Sequence, residues 1–337
     1  MKQNRHIPLI ILFLLIAGVI GAAAYGVISI PLPALAKAIG YAISHKLGFA
    51  AGHSVDPMPL LWELRLPRIV MSLLVGASLA LCGAVFQSIF RNPICDPYML
   101  GLSSGASLGA AIAFIAGWNI FLWGITLPAL LTALLTLLLL LGVSQLSRRR
   151  SVETLLLTGI SLNFMISAVI TLLIVYRESE MKKIIFWTMG SLASVSWSHI
   201  VFLLPVMAVC AGILLLLAKN LTIMQLGDDT ARSLGVNTRR TTVMALVFSS
   251  VLVSVIVSFC GAISFIGLIV PHITRLLVGN YNRAVFLNSM LTGAFCLLLA
   301  DTLARTIAAP SELPVGAVTA MTGVPYFIFL LMKNKKM

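Results

Sequence analysis

Charge is scarce in this chain. Only 10 % of its 337 residues are Asp, Glu, Lys or Arg, and just ten of them are acids; a soluble globular domain carries about 25 % charged residues. Motifs for catalysis or cofactor capture are missing too. Without a G-x-x-x-x-G-K-[ST] loop, nucleotide phosphates cannot be cradled in the P-loop manner. There is no HExxH, and His6, His45, His53, His199 and His272 fall in loops or at span ends without ligand spacing. Ser103-Ser104-Gly105 lacks a G-x-S-x-G frame. Five cysteines (Cys82, Cys95, Cys210, Cys260, Cys296) lie in or beside apolar runs with no CxxC spacing, which speaks against a disulfide framework or a metal cluster. An enzyme is disfavoured, and no cofactor is expected.

What the chain has instead is apolar length. Hydrophobic residues make up 60 % of it, the mean hydropathy is +1.06, and apolar runs of about 20 residues, enough to span a hydrocarbon core, recur throughout. These features predict an all-α polytopic membrane protein, a single transmembrane domain over 1–337. A β-barrel would show short alternating segments. The net charge of +13 does not imply a nucleic-acid partner, because the basic residues are scattered between apolar runs; the positive-inside rule accounts for them. Lys2, Arg5 and His6 before Ile7–Ile20 imitate a signal peptide, but the apolar run continues to about Ile30 and reads as an uncleaved first span.

Ten candidate spans follow from the apolar runs and the Gly/Pro clusters between them: 7–30, 66–89, 98–116, 124–146, 153–175, 200–218, 241–261, 265–278, 284–307 and 314–332. The eighth is short and contains Pro271. An even number puts both termini on one side, which Lys2, Arg5, Lys333, Lys335 and Lys336 assign to the cytoplasm. With that orientation, fifteen of the 23 basic residues are cytoplasmic. Arg65, Arg68 and Arg305 fall on the disfavoured outer side.

Two echoes suggest repeated architecture. Cys82-Gly83-Ala84 followed by Pro93 matches Cys260-Gly261-Ala262 followed by Pro271, in spans of opposite direction, as in an inverted repeat. Val75-Gly76-Ala77-x-x-Ala80-x-x-Gly83 matches Val315-Gly316-Ala317-x-x-Ala320-x-x-Gly323, small residues that let backbones approach or that are simply common in membrane helices. Asp301 is the one acid well inside a span. It admits a proton-relay reading, or an intrahelical pair with Arg305 four residues on.

The loop Lys219–Arg240 has a different texture. Apolar Leu226, Ala231 and Leu234 alternate with polar residues, Asp228 and Asp229 sit near its start, and Gly235 follows. These start and stop signals predict a short amphipathic helix suited to a groove, in place of a solvated connection.

Longer strings carry a family resemblance: RLPR (Arg65–Arg68), GASLALCGAVFQ (Gly76–Gln87), RNPICDPYMLGLSSGA (Arg91–Ala106), GDDTARSLGV (Gly227–Val236), GLIVPHITRLLVG (Gly267–Gly279) and ADTLARTIAAPSELPVGAVTA (Ala300–Ala320). From about Pro59 to its end the chain resembles the FecCD family of ABC-transporter permeases. The resemblance implies a type II importer fold in a bacterial or archaeal cytoplasmic membrane, with about ten helices per subunit and an inverted repeat. It implies a homodimer, two separate ATPase subunits and an extracytoplasmic substrate-binding protein, and transport of a metal chelate: a ferric siderophore first, with haem, cobalamin or a molybdate-type oxyanion as alternatives. Gly227, Asp228, Ala231, Leu234, Gly235 and Val236 resemble the ATPase-coupling element. Arg65, Arg68 and Arg305 resemble the arginines that dock the binding protein. Asn92, Pro93 and Ile94 resemble the cytoplasmic gate. Ser151-Val152-Glu153-Thr154 departs from the small hydroxyl residues that some relatives place there as a second gate layer. The alternative from another class is a secondary transporter with inverted repeats.

Overall fold

A computed structural model describes residues 6–26, 30–31, 33–36, 60–121, 123–146 and 152–333, and every regular element among them is helical. In chain order the α-helices are α1 (His6–Ala24), α2 (Leu66–Ile89), α3 (Leu102–Ile115), α4 (Thr126–Leu146), α5 (Val152–Tyr176) and α6 (Met181–Thr188). They continue with α7 (Trp197–Met224), α8 (Asp228–Ser233), α9 (Thr238–Cys260), α10 (Ile266–Val278), α11 (Asn282–Thr306) and α12 (Val315–Lys333). A π-helical turn, Leu60–Arg65, leads into α2, where Pro67 occupies the first turn and needs no hydrogen-bonded N–H.

Six helices are long and apolar enough to cross a membrane, and four shorter apolar ones accompany them. All ten candidate spans fall on these helices, most with shifted ends. The span at 66–89 coincides with α2. The first stops at Ala24, and residues 27–29 of its expected run lie outside the described set. The sixth continues past Lys219 to Met224, because nothing before Gly227 breaks the helix; the supposed loop therefore begins within α7 and ends within α9. The eighth forms α10 with Pro271 inside it. α6 was not expected.

α2 is the axis of the bundle. Its most apolar stretch is 83 % buried, against 11 % for α5. The α11 helix runs antiparallel along it, pairing Arg68 with Asp301, Gly76 with Gly293 and Ser88 with Asn282. A Cβ on Gly76 would lie 2.3 Å from the Gly293 carbonyl oxygen, and one on Gly83 would lie 1.8 Å from that of Gly267 in α10. Gly316 is similarly pressed against the Met189 and Ala262 carbonyls. The small-residue echo thus marks places where backbones touch. The Cys-Gly-Ala echo does not mark equivalent positions: Cys82 lies well inside α2 whereas Cys260 ends α9, and Pro93 lies in a turn whereas Pro271 is helical. The recurring feature is one of elements. α2 and α9 each end in a backbone break, followed by a short helix (14 residues in α3, 13 in α10) and then a long one.

Candidate functional site

Candidate functional residues gather at the two ends of the bundle. At one end the chain enters α2 while α11 finishes, and α1 ends beside them. Arg68 Nε donates to both carboxylate oxygens of Asp301, at 2.9 and 3.0 Å, and its Nη1 donates to both oxygens of Glu312, at 2.9 and 2.8 Å. Arg65 Nη1 donates to the Ala23 carbonyl at 2.7 Å, and Arg305 Nη2 to that of Ala22. These are the last carbonyls of α1, which lack partners within their own helix and carry the negative end of its dipole.

The cluster bears on two expectations. Arg65, Arg68 and Arg305 do come together, and they are only 4–7 % exposed, with their guanidinium groups on partners inside the fold. Charges at that depth need partners, and the α1 terminus and two carboxylates supply them. Asp301 pairs with Arg68 across helices, whereas Arg305, expected as its intrahelical partner, is taken up by α1. Glu312 was missed as a partner of Arg68, since 244 residues separate the two and no spacing rule reaches that far.

At the other end, α8 stands out from the helix ends. Gly227 precedes it, and Gly235 (φ +82°) follows. Gly235 N–H bonds to the Arg232 carbonyl and Val236 N–H to that of Ala231, both at 2.9 Å. This is the Schellman stop, with Ala231 and Val236 buried together behind it. Leu226 and Leu234 bracket the helix, 69 % and 61 % exposed. Asp228, the first residue of α8, pairs with Arg91.

Arg91 opens the break after α2, and Asn92, Pro93 and Ile94 follow. Asn92 Oδ1 accepts from the Ile94 N–H at 3.1 Å, and Asp96 Oδ1 from the Tyr98 N–H at 2.8 Å, capping a 3₁₀ turn that leads to α3. A cavity of about 670 Å³ separates this segment from α8, lined among others by Arg91, Asn92, Asp228, Arg232, Arg239 and Leu246. Beside it Asn282, fully buried, ties four helices together. Its Oδ1 accepts from Ser88 Oγ (3.0 Å), Arg275 Nη1 (3.1 Å) and Gln225 Nε2 (3.2 Å). Sequence reasoning missed this knot; polar residues at facing helix ends were its only signal. Ser151 and the side chains of Val152 and Glu153 lie outside the described residues.

No group of three or more His, Cys, Asp or Glu side chains among the described residues could hold a metal ion. The geometry suits mechanical work: a pinned end, a protruding short helix, and a broken segment facing it.

Comparison with known proteins gives the family. Residues 9–333 match the FecCD transport family. The ABC transporter permease protein YvrB of Bacillus subtilis is 37 % identical, over 100 % of this chain and 96 % of its own. The cobalamin import system permease protein BtuC of Halobacterium salinarum is 38 % identical over 90 % of this chain and 81 % of its own. Among solved structures, an inward-facing ABC transporter described as of metal-chelate type superposes with a TM-score of 0.83 at 31 % identity, covering 96 % of this chain and 97 % of that one. The chain is a multi-pass membrane protein and belongs to the FecCD transport family.

Proposed function

We propose that the chain is the permease subunit of a binding-protein-dependent ABC importer for a metal chelate, a ferric siderophore in the first instance, with haem, cobalamin and molybdate-type oxyanions as alternatives. The observation that carries this reading is α8. A six-residue helix stopped by a Schellman turn, with Leu226 and Leu234 exposed on either side of it, has the form of a plug for an apolar groove on a partner. Two ATPase subunits are the proposed partners, with α8 of each copy in a homodimer seated on one of them. ATP binding then moves α8, and the two permease copies rock between inward- and outward-open states. Each ligand of such a system acts only through its preference for one state.

In this reading the ten apolar helices are ten spans, the halves that begin at α2 and α9 are inverted copies, and the α8 end and both termini are cytoplasmic. Asn92, Pro93 and Ile94 form the gate on that side. Docking of the binding protein falls at the arginine end. Because Arg65, Arg68 and Arg305 are buried among internal partners, they are proposed to shape the docking surface by pinning the ends of α1, α2 and α11.

The test is coexpression with the ATPase and binding-protein subunits. The ATPase should co-purify with the wild-type chain, and Leu234→Asp should abolish binding-protein-stimulated ATP hydrolysis in liposomes while the permease still inserts. Normal stimulation in that variant would remove α8 from the coupling role.

A further inference from the structure

Arg91 has a φ of +48°, one of two positive values among the described non-glycine residues. A side chain with a Cβ disfavours that backbone region, and a residue stays there only where its surroundings hold it. Two contacts do so here. Downstream, the Asn92 side chain closes a turn onto the Ile94 N–H. At the cavity, the Arg91 guanidinium pairs with Asp228 at the start of α8, 137 residues away in sequence.

We propose that the Arg91–Asp228 pair is the strut through which α8 sets the position of the segment Asn92–Ile94. The inference rests on α8 as the ATPase contact and Asn92–Ile94 as the gate, and it adds the residues that join them. Close-packed interiors transmit displacement by contact; the 670 Å³ cavity between α8 and the break interrupts such packing. The ion pair bridges the gap. Asp228 is the acid used, because its neighbour Asp229 faces Arg232 within α8, at 3.9 Å. The side chains of the pair are 43 % and 54 % exposed, so the bond is weak enough to be made and broken in each cycle. When α8 moves away, Arg91 loses the contact that holds its left-handed backbone, and Asn92–Ile94 is released with it.

The test uses the complete transporter with its ATPase and binding protein in liposomes, measuring transport per ATP hydrolysed. Arg91→Glu and Asp228→Arg should each lower that ratio about two- to fivefold, the range of an exposed pair, and the double exchange should restore it to within about twofold. Arg91→Gln and Asp228→Asn serve as milder versions in case a reversed charge lowers membrane yield; each should lower the ratio in the same direction. Single variants without effect, or losses that multiply in the double exchange, would overturn the strut. Leu234→Asp, measured alongside, separates the two levels. If it leaves transport coupled, the role of α8 fails; if it uncouples while the exchange gives no recovery, only the strut fails.

Discussion

Asp301 is fully buried, and its charge is tolerable there only because Arg68 reaches it. Removing one partner of a buried pair leaves the other uncompensated and costs about 3–5 kcal/mol, whereas an exposed pair contributes about 1 kcal/mol or less. Asp301→Asn should therefore lower thermal stability in detergent far more than Glu312→Gln, whose carboxylate is 35 % exposed. Similar melting temperatures for the two variants would contradict the division. The same burial bears on Arg65. Arg65→Glu should weaken binding-protein affinity and also destabilise the permease, with no rescue from an acidic-to-basic change on the binding protein; rescue would instead make Arg65 a direct docking contact. Of the pairings legible in the sequence, the one for Asp301 differs from the fold. An i,i+4 spacing put Asp301 with Arg305, yet in the fold the chain brings Arg68 to Asp301 from 233 residues away, and no local pattern records that.

Helices were legible nearly to the residue wherever hydropathy and backbone agreed. α2 begins and ends with its apolar run, while α7 outlasts its own by six residues, since a lysine and an asparagine lower hydropathy without breaking a helix. α6 has only eight residues, two of them lysines, and follows directly on a charged turn, so no apolar run announces it. Close approach, not composition, distinguishes the glycines at this scale. Gly83→Ala drives a methyl group into the Gly267 carbonyl, so α2 and α10 must separate and folded yield should collapse. Gly212→Ala meets nothing within 4 Å and should change stability by about 1 kcal/mol or less. Comparable yields from both would mean that the contact between α2 and α10 relaxes freely. Gly235 is constrained by its backbone. At φ +82° a β-branched residue is strained, and Gly235→Val should uncouple ATP hydrolysis from transport in liposomes without preventing insertion. Normal coupling would show that the Schellman stop is dispensable.

For the whole molecule, the proposed topology makes a simple statement about access. In a cysteine-depleted background, cysteines at Asn237 should react only with reagents applied from the cytoplasm, and those at Glu180 and Ser311 only from outside. Labelling of Asn237 from outside would invert or break the ten-span arrangement. Arg149, which belongs to the same cytoplasmic set, lies outside the described residues. The class of fold, its helical membrane spans and its family were open to reading from residues alone, because lipid imposes a length and a polarity on each span separately. The repeated tripeptide does not mark equivalent positions, whereas the order of a long helix, a break, a short helix and a long helix recurs after α2 and after α9; that order is a property of backbone breaks, which sequence marks only weakly.

The Arg68–Asp301 pair also dictates an order of events during synthesis. Arg68 is made early and its carboxylate 233 residues later, which at about 5–20 residues per second is a delay of roughly 10–50 s. Through that interval Arg68 lacks both of the carboxylates that pair with it in the fold. Its final seat is closed by one of the last segments to leave the ribosome. Chains truncated before residue 301 should accordingly remain targets for membrane proteolysis however many spans they have inserted, because the bundle is locked from its C-terminal side.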